Sequence, residues 1–334
     1  MNTQRIRFVA PCKVILEDIT IAELEPKQVL LKSICSAISP GSERLIYRGH
    51  FPKDQPIDLN FKDQKKTFSY PMSYGYCLVG EIIATGSEIS SRYLGKRAFV
   101  FQPHQAHAVC SFEELILLPA DLDPFDACFL ANCETACNLV LDTRPLLGER
   151  IAVIGQGIVG HLTQKILQKF PLENIIVIDS NPQRLDIARA QGDVTALLPT
   201  ELDDYWQSCD AVIELSGHLP ALETAVNLCR YDGRVIVGSW YGENQQPISL
   251  NTYFHRMHLK IISSQVSQIA PDLRGRFDKK RRMSTAMQVI KEQNPKQLIS
   301  HRVPFTENMV RETYQSLNQA ESAQLQVVFT YHHD

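Results

Sequence analysis

The chain has 334 residues, 44% hydrophobic and 21% charged, with a formal net charge of −3. That length exceeds what one hydrophobic core usually serves, so two domains are expected. The balance of charge excludes the net basic surface typical of a nucleic-acid binder, and no segment approaches the roughly eighteen uninterrupted apolar residues of a membrane helix.

Met1-Asn2-Thr3-Gln4-Arg5 leads directly into a strand-like stretch and lacks a signal-peptide core. The first 120 or so residues then alternate short strands with turn residues. Val29-Leu30-Leu31-Lys32-Ser33-Ile34 and Val79-Gly80-Glu81-Ile82-Ile83-Ala84 are the clearest strands. Residues 52–70 are polar, Lys-rich and without a period, and are expected to form a long loop. From Pro124, which suits the first position of a helix, a helix is predicted through Asn132 to about Leu141. Arg150-Ile151-Ala152-Val153-Ile154 has the apolar run of a buried strand, followed by a glycine turn and a helix to Phe170. A strand at 175–178 and a helix from Pro182 to Gln191, stopped by Gly192, repeat the unit. Further strands are predicted at 211–215, 234–237 and 259–262, with a helix Leu219–Cys229 between the first two. Such βα alternation implies a parallel sheet covered on both faces. Helices at 278–292 and 306–318 and a terminal strand, Gln326–Thr330, complete the chain; that strand is expected to return and pair with the first domain. The basic run Lys279-Lys280-Arg281-Arg282 has the composition of a solvated helix face.

Nine cysteines (12, 35, 77, 110, 128, 133, 137, 209 and 229) are scattered, without a Cys-x-x-Cys pair. Neither a disulfide framework nor a zinc ribbon is indicated, and a reduced, cytoplasmic protein is expected. Cys133 and Cys137, one helical turn apart, are expected in the core.

Gly155-Gln156-Gly157-Ile158-Val159-Gly160 is a G-x-G-x-x-G sequence between a predicted strand and a predicted helix, the context a dinucleotide site requires. Gly155 permits the tight turn, Gly157 admits the pyrophosphate, and Gly160 allows close packing of helix on strand. The phosphates then meet free N–H groups at the positive end of the helix dipole. Asp179 ends the second strand, nineteen residues after Gly160. Its carboxylate is placed to accept both adenosine ribose hydroxyls and to repel a 2′-phosphate, so NAD is expected over NADP. Arg184, five residues on, opposes that preference unless it is an ordinary surface residue. Ser180 and Ser216 complete this part of the expected cofactor set.

The order of a β-rich domain, a Rossmann unit and a C-terminal return resembles the medium-chain dehydrogenase/reductase superfamily. The chain is most similar to the zinc-free branch containing bacteriochlorophyllide 2-hydroxyethyl dehydrogenase. The segments carrying the likeness are Ala37-Ile38-Ser39-Pro40-Gly41-Ser42-Glu43-Arg44-Leu45-Ile46-Tyr47, Tyr70-Pro71-Met72-Ser73-Tyr74-Gly75-Tyr76 and Ile299-Ser300-His301-Arg302-Val303-Pro304. Ser263-Ser264-Gln265-Val266-Ser267, followed by Arg281-Arg282, is similar to relatives of the same enzyme. The resemblance implies an α/β fold: a doubly wound Rossmann sheet over 123–264, and a GroES-like β-rich catalytic domain over 1–122 completed by 265–334.

Metal-dependent members hold a catalytic zinc with a Cys in the first of these segments and Gly-His-Glu in the second. Here Ser39 takes the Cys position and Gly75-Tyr76-Cys77 replaces Gly-His-Glu; a neutral Ser or Tyr is a poor zinc ligand. The spacing of Cys77, His104 and His107 does not build a substitute, and the four-cysteine structural lobe is missing. No zinc is expected. Something else must then handle the alcohol proton. The resemblance points to three residues in segments that border the catalytic cleft: Tyr76 as a donor to a carbonyl oxygen, His104 as a proton relay, and Ser39 as a hydrogen-bond partner of the same oxygen. Each has a plainer alternative. Tyr76 fills the space left by the metal, His104 is a satisfied loop histidine, and Ser39 is a turn residue. Glu43 is assigned the ordering of its loop. Gly238 and Ser239 stand where backbone groups in the family face the nicotinamide, and Trp240 and Tyr241 either shape that pocket or form a surface loop.

The resulting expectation is a metal-independent, NAD-dependent oxidoreductase interconverting a secondary alcohol and a ketone. Two alternatives remain open: an NADPH-dependent quinone or enoyl-type reductase, and a non-catalytic NAD(H)-binding protein. The expected partner is a small alcohol or carbonyl compound, with no nucleic acid and no membrane. By analogy with dimeric and tetrameric relatives, the chain is expected to form a homodimer.

Overall fold

The computed structural model describes residues 1–52, 68–250, 252–319 and 324–331. Most of the expected loop at 52–70 lies outside the described residues. The chain forms two compact units, Met1–Ala131 with Ile290–Asp334, and Asn132–Val289.

In the first unit a hairpin, Asn2–Ala10 with Lys13–Thr20, accompanies a seven-stranded sheet. The sheet runs in the order Ile299–Pro304, Gln326–Thr330, Gln28–Ala37, Leu78–Thr85, Arg97–Val100 and Ile116–Leu117, while His107–Ser111 also pairs with Gln28–Ala37. The terminal strand returns as expected: Gln326–Thr330 pairs antiparallel with Gln28–Ala37. Its fully buried Val327 and Phe329 pack with Phe8, Ile38, Ile46 and Tyr314. One helix in this region is absent from the sequence reading. Pro40–Arg48 starts with Pro at its first position and closes on Gly49 at φ 76°, the left-handed residue that ends many helices.

The second unit holds six parallel strands in the order Thr195–Leu197, Asn174–Ile178, Arg150–Ile154, Cys209–Glu214, Cys229–Val237 and Lys260–Ser263. Helices Ile158–Leu167, Pro182–Ala190 and Pro220–Leu228 lie in the connections. The order reverses between Arg150–Ile154 and Cys209–Glu214, which makes the carboxyl ends of those two strands the topological switch point where open α/β sheets bind ligands. Ile151, Ala152 and Val153 are fully buried, which accounts for the unbroken apolar run in the sequence.

Three expectations change. The helix from Pro124 is two helices, Pro124–Ala127 and Leu130–Thr143. Residues 265–289, assigned above to the first domain, cluster with the second unit. The run Lys279–Arg282 is not a uniformly solvated face, because Arg282 is only 2% exposed. Its guanidinium donates to Glu134 (2.8 Å), to Asn138 Oδ1 (2.5 Å) and to the Val266 carbonyl (2.5 Å). Asn138 and Asp142 in turn hold Ser264. The Ser263–Ser267 segment and Arg282, noted above for their likeness to relatives, therefore form one clamp on helix Leu130–Thr143. A buried guanidinium persists only where such acceptors surround it.

Candidate functional site

At the switch point lies the glycine turn, whose backbone leaves no room for side chains at two of its three glycines. Gly155 has φ 96°, and a Cβ there would lie 2.6 Å from the Ser216 nitrogen. A Cβ on Gly160 would lie 2.0 Å from the Gly155 carbonyl oxygen, so helix and turn touch only because the side chain is missing. Gly157, the helix N-cap, has open space where its Cβ would be. Gln156 is fully buried, and neither its Oε1 nor its Nε2 has a partner. Buried orphans of this kind mark a place where a ligand or an ordered water completes the set. The open cradle at Gly157 fits a pyrophosphate crossing the helix N-terminus.

Asp179 directly follows the neighbouring strand Asn174–Ile178 and is 8% exposed. Its Oδ2 accepts the Gln156 N–H at 2.7 Å, and its Oδ1 accepts the Asn181 N–H at 2.8 Å. The carboxylate is thus tied to the glycine turn itself, a link the spacing alone does not reveal. Arg184 is not a plain surface residue: its guanidinium lies 3.7 Å from Asp179 Oδ2. Ser180 is exposed next to Asp179, Ile158 is buried and Val159 half-buried in the first turn of the helix. His161, one residue past the motif, is fully buried with neither ring nitrogen partnered. Burial first, and then the Arg184 guanidinium, push its pKa down to about 4.

Ser216, Gly238 and Ser239 converge in the same unit. Ser239 Oγ accepts the Gly217 N–H at 2.9 Å, and the Gly238 N–H donates to the Glu214 carbonyl at 3.0 Å. The residue holding them together is Glu214, which the sequence reading did not single out. It was legible as a carboxylate inside the apolar run 211–215, a placement that demands hydrogen-bond partners.

In the first unit, the three residues proposed for proton handling divide into two kinds. The Tyr76 hydroxyl donates to Ser39 Oγ, and Ser42 Oγ lies 3.0 Å from the Tyr76 oxygen. Ser42 Oγ also reaches the Ser39 carbonyl at 3.5 Å, so its one proton is shared between that oxygen and the Tyr76 oxygen. Desolvation, with smaller contributions from Tyr74 and Cys77, raises the Tyr76 pKa, so the phenol stays protonated. His104, by contrast, is fully buried with both nitrogens bonded. Its Nε2 lies 3.0 Å from Glu43 Oε2 and its Nδ1 lies 2.6 Å from Ser36 Oγ. With Glu43 Oε2 as the acceptor of this bond, the proton between them sits on Nε2. The same carboxylate accepts the Ser39 N–H (2.7 Å) and the Tyr314 hydroxyl (2.5 Å). Glu43 thereby fixes the loop that carries Ser39, and His104 is one of its three donors.

The residues at the positions where metal-dependent relatives carry zinc ligands have other partners. Ser39 and Tyr76 are bonded to each other, and burial, with the Glu43 charge, raises the Cys77 thiol above its ordinary pKa. Among the described residues, no group of three or more His, Cys, Asp or Glu side chains is placed to hold a metal. All nine cysteines are free, eight of them buried, Cys133 and Cys137 included. Among the described residues, no helix is long and apolar enough to cross a membrane.

Residues 159–284 match the family model of zinc-binding dehydrogenases. The chain is 25% identical over 215 residues to the L-threonine 3-dehydrogenase of Deinococcus deserti, an alignment covering 51% of this chain and 61% of that protein. It is 24% identical over 252 residues to the D-guloside 3-dehydrogenase of Escherichia coli K12, covering 72% of this chain and 69% of the other. The match thus spans about three-fifths to two-thirds of these relatives' lengths. A solved structure described as a short chain alcohol dehydrogenase of E. coli CFT073, complexed with NADH, superposes with a TM-score of 0.79 at 18% identity, covering 98% of this chain and 99% of that one. Over residues 159–284 the chain is thus similar to zinc-binding dehydrogenases, and its fold is that of the NADH-bound alcohol dehydrogenase structure.

Proposed function

We propose that the chain is a nicotinamide-dependent dehydrogenase that interconverts a secondary alcohol and a ketone, prefers NAD(H), and works without a metal at the position its relatives use. The observation that carries the reading is the union of Asp179 and the glycine turn through the Gln156 N–H. One carboxylate then supports the pyrophosphate loop while it stands at the end of the strand that receives the adenosine ribose. Threonine and a guloside, named for the two relatives, both carry secondary alcohols, which supports that substrate class. Arg184, 3.7 Å from Asp179, is a feature that favours NADP(H) as the second reading.

A nicotinamide, when bound, supplies the hydride acceptor or donor. The chain's own residues hold and protonate the substrate oxygen. Ser42, Tyr76 and Ser39 form a line of hydrogen-bonded hydroxyls, Tyr76 donating to Ser39 and Ser42 reaching both the Tyr76 oxygen and the Ser39 carbonyl, and such chains polarise one another. The Ser39 proton ends the line and is the group proposed to meet the oxygen of a carbonyl substrate; once given up it is replaced from Tyr76 and Ser42, and the half-buried Ser42 regains its proton from solvent. Glu43, with His104 and Tyr314 as its other donors, fixes the Ser39 backbone; His104 acts through Glu43 as a positioning residue.

The test is turnover of a panel of secondary alcohols by full-length protein stripped of metal with a chelator, beside the Tyr76→Phe variant. The expected result is activity that survives chelation and a kcat lowered roughly 100-fold in the variant. Activity that returns only on adding zinc would overturn the metal-free reading, and an unchanged kcat would remove Tyr76 from the chemistry.

A further inference from the structure

Glu214 is the last residue of strand Cys209–Glu214 and is fully buried. Its Oε1 accepts the Ser216 N–H at 2.7 Å together with the Ser216 hydroxyl, and its Oε2 accepts the Tyr241 hydroxyl at 2.5 Å. Its backbone carbonyl takes the Gly238 N–H. One side chain therefore joins the loop after its own strand, 215–217, to the loop after the adjacent strand Cys229–Val237. Ser239 Oγ, accepting the Gly217 N–H, adds a second tie between the same loops. Burial, the neighbouring Glu214 charge and the bond to it keep the Tyr241 phenol protonated, hence a donor throughout the neutral range.

The sheet order says which end of a dinucleotide meets this joint. Asp179 closes the strand on one side of Arg150–Ile154, and Cys209–Glu214 lies on the other side. A ligand that sets its adenosine at Asp179 and its phosphates at Gly157 must carry its nicotinamide towards the ends of Cys209–Glu214 and Cys229–Val237. Ser216 also abuts Gly155, where a Cβ would come within 2.6 Å of its nitrogen. Any shift of this loop therefore changes the wall of the turn.

We infer that Glu214 is a positioning residue for the nicotinamide half of the cofactor, clasping Ser216 and Tyr241 so that the two loops form one rigid wall beneath the ring. The inference rests on the dinucleotide reading given above. It assigns Tyr241 a fixed inward role through its hydroxyl, and leaves the adenosine half to Asp179.

The experiment is calorimetric titration of the full chain and of Tyr241→Phe and Glu214→Gln with NADH and, separately, with ADP, which carries the adenosine and two phosphates but no nicotinamide. Each variant is expected to bind NADH about tenfold more weakly, the worth of one well-made hydrogen bond to a charged group, while its ADP affinity stays within about twofold. NADH affinity unchanged in Tyr241→Phe, or NADH and ADP weakened alike, would overturn the inference and leave Glu214 a fold residue. Wild-type protein that binds neither ligand would overturn the dinucleotide reading itself. Should Glu214→Gln fail to fold, Tyr241→Phe, which leaves the carboxylate bonded to Ser216, decides the matter alone.

Discussion

Protonation of His161 should destabilise the nucleotide-binding unit, and the size of the effect follows from its surroundings. The ring is fully buried behind the glycine turn, and neither nitrogen has a hydrogen-bond partner. Gln191 lies near enough to oppose the shift, but its Oε1 is unpartnered as well. The folded-state pKa of about 4 lies below the value of about 6.5 for an unfolded chain. The unfolded state therefore binds the proton more readily. Stability is fully present above about pH 6.5, falls as pH drops towards 4, and levels off below that. Integrated over this window the loss reaches about 3 kcal/mol, of which about 2 kcal/mol accrues between about pH 7.5 and about pH 5. Both tryptophans, Trp206 and Trp240, belong to this unit, so urea unfolding followed by their fluorescence reports on it selectively. The His161→Leu variant, similar in volume, should match the wild type within about 1 kcal/mol at the higher pH. It should lose about 2 kcal/mol less on acidification. Equal losses in the two proteins would refute the reasoning and show that His161 is solvated, or paired when charged.

Replacing Arg282 by Met strands Glu134 in the interior and should cost about 3–5 kcal/mol, measured as a fall in the urea midpoint; a cost under about 1 kcal/mol would mean the clamp on helix Leu130–Thr143 is dispensable. Asp179→Ser releases Arg184 and removes the charge that repels a 2′-phosphate, so the ratio of NADPH to NADH affinity should rise about tenfold or more, read by fluorescence titration; an unchanged ratio would place cofactor choice elsewhere.

Sequence periodicity was enough for the nucleotide-binding unit because its signals are local. A strand buried on both faces needs an apolar run, and the turn that follows needs glycines where a Cβ would meet the Gly155 oxygen or the Ser216 nitrogen. What escaped depended on partners distant in sequence. Arg282 looks like one more cation in a basic run until Glu134 and Asn138, 148 and 144 residues away, come beside it. Tyr314 and Glu43, 271 residues apart, share a hydrogen bond that no spacing announces. Helix Pro40–Arg48 did carry a local signature, Ser39-Pro40 at its start and Gly49 at its end, but the surrounding short strands masked it. Of the candidate residues, Ser39 and Tyr76 prove to be hydrogen-bonded neighbours, whereas His104 is enclosed by Glu43 and Ser36. The resemblance placed all three in one region, and only the side-chain geometry distinguished them.

The most direct test of the central claim compares two glycine substitutions in the same motif. A Cβ at Gly157 meets nothing within 4 Å, and one at Gly160 falls 2.0 Å from the Gly155 oxygen. Gly157→Ala should therefore keep the wild-type melting temperature and lose calorimetric NADH binding by about 100-fold or more, because the methyl group occupies the space left for the pyrophosphate. Gly160→Ala should lower the melting temperature, the overpacking costing about 1–3 kcal/mol. Gly157→Ala protein that binds NADH as tightly as the wild type would contradict the account, since the open space at this turn would then not be the phosphate site.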